Sequence, residues 1–231
     1  MQPFRSDGHG IDGPRLKMLV AALGRIAALS VGRYLYGRRF PDDPEVSMTV
    51  VSPMPCRASK AAIQDAAETY AHRIGVRPRD DLFKLVERLG GRIRFKDFGS
   101  ARPRESIHIR AIDDFDLFLP FDTTPARDRF TIGHELGHLL LHYPVVMKMH
   151  GRAPVEMAAT RYLPEEPSPD VQRCEWEANW FAAAFLMPSK LFEAALREAG
   201  DDVSAVARRF FVSTQAAENR AKSLGLIRKA A

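Results

Sequence analysis

Cysteine is almost absent from this chain of 231 residues: only Cys56 and Cys174 occur. Two isolated thiols cannot build the disulfide framework of a small secreted domain, and no Cys pair has zinc-ribbon spacing. Cys174 adjoins Glu175, but a single small Cys in an apolar segment is more often core packing than a metal ligand. Long hydrophobic runs are missing as well. The longest candidate, residues 18–32, is interrupted by Gly24 and Arg25 and is too short and too charged to span a bilayer. Arg25 and the lack of a small-x-small cleavage site also argue against a signal peptide, so the chain reads as cytoplasmic, with no membrane partner. Charge of one sign is not in great excess: 34 Lys and Arg face 29 Asp and Glu, a net charge of +5. That permits an acidic or nucleic-acid partner without demanding one. No internal repeat or low-complexity tract is evident.

What is present is the composition of a globular protein, 45% hydrophobic, and enough chain for one sizeable domain with appendages. Residues 1–56 read as a loosely attached N-terminal extension. A basic helix is expected over 15–36, and Pro41, Pro44, Pro53 and Pro55 then break the chain. Helical spacing returns over 58–75, closed by Gly75, and again after Pro78 until Gly90-Gly91. Alternating runs at 92–95, 106–109 and 115–119 predict a small antiparallel sheet. The fold class is therefore α+β, mainly helical, with a core over 57–188 and a helical tail over 189–231.

The centre of the chain is His134-Glu135-Leu136-Gly137-His138. Thr124 and Pro125 supply a helix start, and Pro144 is expected to end that helix after His142. Two imidazoles four residues apart share a helix face, about 6 Å apart along the axis. That spacing suits two ligands of one zinc ion, and Glu135 is placed to act as general base on a water. His142 lies on the same face. On a straight helix it sits about 12 Å along the axis from His134, too far to share the ion, which leaves it a supporting or surface role.

A third ligand must come from elsewhere. Residues 144–170 read as a Pro-rich loop, long enough to form one wall of a cleft. After it, Glu175 and Glu177 open a strongly apolar helix. A buried carboxylate needs a partner, and a metal is one. Glu177 lies about 200° round the helix from Glu175, so both cannot serve. Glu175 is preferred and Glu177 is the alternative, with Asn179 one turn beyond Glu175 as an orienting neighbour. For an oxyanion donor, His108, Tyr143, Tyr162 and nearby Arg side chains are the candidates.

The run from Arg129 to His142, followed by Glu175-x-x-Ala178-Asn179-x-Phe181-Ala182-x-x-x-Leu186-Met187-Pro188, resembles the ImmA/IrrE family of zinc metallopeptidases. The resemblance covers about residues 58–227. It implies a compact core related to the thermolysin type, with Zn2+ held by His134, His138 and Glu175. It further implies Glu135 as general base, Asn179 as the companion of Glu175, and a helix-turn-helix transcriptional repressor as protein substrate. Cleavage would derepress stress or mobile-element genes.

Two other readings stand beside it. The stretch 205–213, with Ser213 capping the next helix, has a helix-turn-helix look, and Arg208, Arg209, Arg220 and Lys222 are candidate phosphate contacts. That would make the chain a DNA-binding regulator. A third reading keeps the fold without proteolysis, as a toxin-like partner that grips a repressor.

Overall fold

The structure, a computed structural model, describes residues 49–97, 105–151, 155–160 and 167–227. The helix expected over 15–36, and Tyr162, lie outside them.

Local chemistry accounts for most of the elements. Ser59 accepts a hydrogen bond from the Ala62 N–H and starts helix α1 (Lys60–Arg73); Asp81 does the same for α2 (Leu82–Arg88). Three strands follow: β2 (Gly91–Lys96), β3 (Glu105–Ala111) and β4 (Asp114–Pro120). Thr124 and Pro125 open α3 (Pro125–Gly137), as their types predict. Ser168 and Pro169 open α5 (Pro169–Leu186) in the same way. The last helices are α6 (Ser189–Glu198), α7 (Val203–Phe210) and α8 (Thr214–Ser223), the last capped by Ser213.

The α+β expectation holds, with a difference in the sheet. Its order is β1 (Thr49–Val51), β5 (Val155–Thr160), β3, β4, β2, and it is mixed rather than antiparallel. β3 runs antiparallel to both β4 and β5, while β2 pairs with β4, and β1 with β5, in parallel. Two of these strands come from segments read as loop. β5 lies within the stretch 144–170, and β1 within the N-terminal extension. β1 has only three residues, and β5 is Ala-rich among prolines and, Val155 and Thr160 at its ends apart, lacks the β-branched and aromatic residues that mark a strand; each is held by pairing with a strand distant in sequence. The packed structure thus begins before residue 57, and Cys56 is buried.

The helix of the metal motif also differs from expectation. It does not stop at Pro144. A π-helical turn, His138–His142, leads directly into α4 (Tyr143–His150), with Pro144 in the first turn, where its missing N–H costs nothing.

One core serves all of these elements. α5 packs on α1 and α3, and its Ala178, Phe181 and Phe185 are buried beside Ile63, Tyr70 and Leu136. The tail belongs to the same core: Phe192, Val206, Phe210 and Ala221 lie within it. Arg220 bolts the tail down from inside, donating to the Met187 carbonyl at 2.9 Å and to Glu68 of α1 at 2.6 Å. Among the described residues, no helix is long and apolar enough to cross a membrane.

Candidate metal centre and cleft

α3 and α5 approach so closely at Gly137 and Ala178 that they bring the first turns of α5 against the second half of α3. Glu175 thereby meets both histidines. Its Oε2 lies 3.3 Å from His134 Nε2 and its Oε1 lies 3.3 Å from His138 Nε2. The two Nε2 atoms are 3.1 Å apart. Among the described residues, His134, His138 and Glu175 form a group able to hold a metal ion.

The far side of each imidazole decides what the near side offers. His134 Nδ1 lies 3.1 Å from Asn179 Oδ1, an acceptor, so Nδ1 carries a proton and Nε2 is the nitrogen turned to Glu175 and open to a metal in place of a proton. Asn179 thus takes the orienting place expected of it. Burial pushes His138 down to about 3, against hydrogen bonding to Glu175, so it is neutral. Burial also works against the Glu175 anion, but its bonds to the two histidines hold its carboxyl well below the usual range. His134 is raised: burial opposes its cation, and the bond to Glu175 and the charge of Glu135 outweigh that. Two nitrogen donors and an anionic oxygen therefore converge on one point.

The donor types, with this spacing, select the kind of ion. Ligands at about 2.0–2.1 Å from a tetrahedral centre are separated by about 3.3–3.4 Å, close to what these atoms show. Calcium takes about six to eight oxygen ligands, which two imidazole nitrogens do not supply. The donor set fits a small, nitrogen-tolerant divalent cation.

A cleft of about 1010 Å³ opens over this centre, and His134, Glu135, Glu175 and Asn179 all line it. Glu135 is only 3% exposed. Its Oε2 accepts from Ser106 Oγ at 3.1 Å, and the same hydroxyl lies 3.3 Å from the Ala159 carbonyl. Ser106 was not legible as a site residue. It is aimed by a register shift between β3 and β5 that leaves Ser106 and its neighbour Ile107 both buried, breaking the alternation.

The other candidates fall elsewhere. Glu177, the alternative third ligand, is fully buried behind the centre, 3.2 Å from His142 Nε2. Tyr143 donates to the Arg110 carbonyl at 3.0 Å and His108 pairs with Glu156; neither is among the described residues lining the cleft. Cys174 is buried outside the ligand group, and burial pushes its thiol up, away from the thiolate a metal needs. In the tail, Arg220 is not available to phosphate: it is buried and paired with Glu68. Arg209 pairs with Glu198, and the polar face of α8, with Gln215 and Asn219, lines the cleft.

The model of the Peptidase_M78 family, described as the IrrE N-terminal-like domain, matches residues 86–222. The chain belongs to this family. The likeness read from the two sequence blocks is thereby shown; membership supports a metallopeptidase-type function, and a candidate ligand triad is in place. No curated protein matches the chain. Among solved structures, a Mycobacterium tuberculosis transcriptional regulator is similar: 21% identical, covering 68% of this chain and 46% of its own, with a TM-score of 0.47. The chain thus spans about half the length of that regulator.

Proposed function

We propose that the chain is a zinc-dependent endopeptidase of the cytoplasm whose substrate is a helix-turn-helix transcriptional repressor. The observation that carries the reading is the convergence of His134 Nε2, His138 Nε2 and the Glu175 carboxylate at 3.1–3.3 Å, beside Glu135 on one cleft. His134, His138 and Glu175 would hold the ion. When bound, zinc supplies a Lewis acid that polarises a carbonyl and brings the pKa of a water near neutrality.

The remaining work belongs to the chain. Glu135 takes a proton at its carboxylate from a water in the cleft and passes it to the leaving amine. Ser106 fixes the orientation of that carboxylate, and Asn179 fixes His134. Phe130, Trp180, Ala183 and Ala216 give the cleft an apolar wall for substrate side chains, while Gln215 and Asn219 offer backbone partners. This placement of α8 also favours a substrate wall over a DNA-reading helix. The repressor as substrate is supported by the sequence blocks shared with the ImmA/IrrE family.

The test is incubation of the zinc-loaded chain with the helix-turn-helix protein encoded beside it, followed by mass spectrometry. Cleavage at one defined bond is expected, lost with chelator and lost in Glu135→Gln. An intact repressor under all conditions, with zinc bound, would refute the reading and favour a non-proteolytic partner of the repressor.

A further inference from the structure

His142 and Glu177 do not reach the cleft, yet both are completely buried, where an ionisable pair with no task is costly. They stand in line behind His138. Glu177 Oε2 lies 3.2 Å from His142 Nε2, and His142 Nδ1 lies 3.0 Å from His138 Nδ1. His138 Nε2, at the other end of that ring, belongs to the ligand group.

The direction of this line is decided at its far end. Glu177 Oε2 also accepts the Cys56 N–H at 2.8 Å. Oε1 accepts the Arg57 N–H at 2.9 Å and Arg173 Nε at 2.8 Å. All of these neighbours are donors, so Glu177 is an acceptor only, and His142 Nε2 must carry its proton. Across the 3.0 Å contact one Nδ1 must accept; with the lone pair on His142 Nδ1, it accepts from Nδ1–H of His138. That leaves His138 Nε2 bare. The opposite direction would place a proton on His138 Nε2, where no metal could bind.

His138 and His142 stand one turn apart with rings edge to face and centroids 4.9 Å apart; the turn between them is π-helical, the Tyr143 N–H bonding to the His138 carbonyl. The outermost clamp comes from the segment before α1, which the family match does not cover, and Arg57 adopts a left-handed backbone (φ 57°) there.

We infer that Glu177 and His142 are positioning residues that hold His138 in its Nδ1–H tautomer, so that Nε2 is presented to the metal. The inference rests on the metal reading of His134, His138 and Glu175. Loss of an outer partner of this kind lowers metal affinity about 10- to 100-fold.

Two measurements on the full chain test it. Ring ¹⁵N NMR of the unmodified zinc-loaded protein should show His142 protonated at Nε2 and His138 at Nδ1; the reverse assignment for His142 overturns the relay whatever any variant does. Competition against a chromophoric chelator should show zinc affinity falling about 10- to 100-fold in His142→Phe. In His142→Gln, which keeps one donor and one acceptor, it should be largely recovered. Unchanged affinity in a folded His142→Phe, or equal losses in both variants, sinks the relay while leaving the metal site intact. If the unmodified chain binds no zinc, the metal reading and the relay fall together.

Discussion

A Cβ placed on Gly137 would lie 3.0 Å from the Cα of Ala178 and 3.2 Å from its carbonyl oxygen. The glycine is thus the reason α3 and α5 lie close enough for Glu175 to meet both histidines. Gly137→Ala pushes on backbone, which cannot swing aside as a side-chain tip can. A loss of about 1–3 kcal/mol in stability is expected from such overpacking, together with weaker zinc binding. Urea denaturation and chelator competition measure the two effects; a variant of native stability and affinity would show the contact to be slack.

Glu135→Gln should keep the ion and lose the chemistry. The three ligand side chains are untouched, while the proton acceptor is gone, so kcat should fall by about 10²- to 10⁴-fold at unchanged zinc content. Turnover on a peptide substrate and metal analysis of the purified variant check this. Substantial activity in the zinc-loaded variant would assign the base to another group.

Ser106→Ala isolates the hydrogen bond that orients Glu135. A bond to a charged acceptor contributes about 1.5–3 kcal/mol, so kcat should drop at least about tenfold, while KM and zinc affinity stay near their original values. A rise in KM alone would mean that Ser106 contacts substrate instead.

Acid stability should depend on Asp116. Burial alone would raise its carboxyl, but Arg92, Arg110 and Arg94 hold it down at about 2. An unfolded Asp titrates near about 3.9. Because the folded value is the lower one, this contribution is complete above about pH 4 and is lost as pH falls towards about 2. Arg110→Met, which removes the contact of 2.8 Å to Asp116, should flatten that acid limb in thermal melts taken across the window. An unaltered limb would place the acid sensitivity elsewhere.

Much of the fold was legible because its causes are local. Thr124 and Ser213 each cap a helix with their own side chains, and Pro125 stands where a helix tolerates proline. The alternation of Ile107, Ile109, Phe115, Leu117 and Leu119 marked the central strands. β1 and β5 stayed hidden because a short strand is stabilised by its neighbour, not by its own residues. The parallel pairings were hidden for the same reason.

The sequence by itself determined that two candidate ligands share a face: a four-residue spacing on a helix puts His134 and His138 on one side. It left Glu175 and Glu177 as alternatives for the third. What only the tertiary structure decided is everything behind and beside that pair. Helical spacing keeps His142 away from the ion and one turn from His138; that its other ring nitrogen meets Glu177 is decided by the packing of α5 on the motif helix. The choice between Glu175 and Glu177 depends on which face of α5 meets α3. Glu177 turns instead to the backbone of Cys56 and Arg57, some 120 residues earlier. Ser106 reaches Glu135 through a strand irregularity. Periodicity reports what one element can present; which groups then meet is set by packing between elements, where close approach and donor–acceptor matching choose the partners.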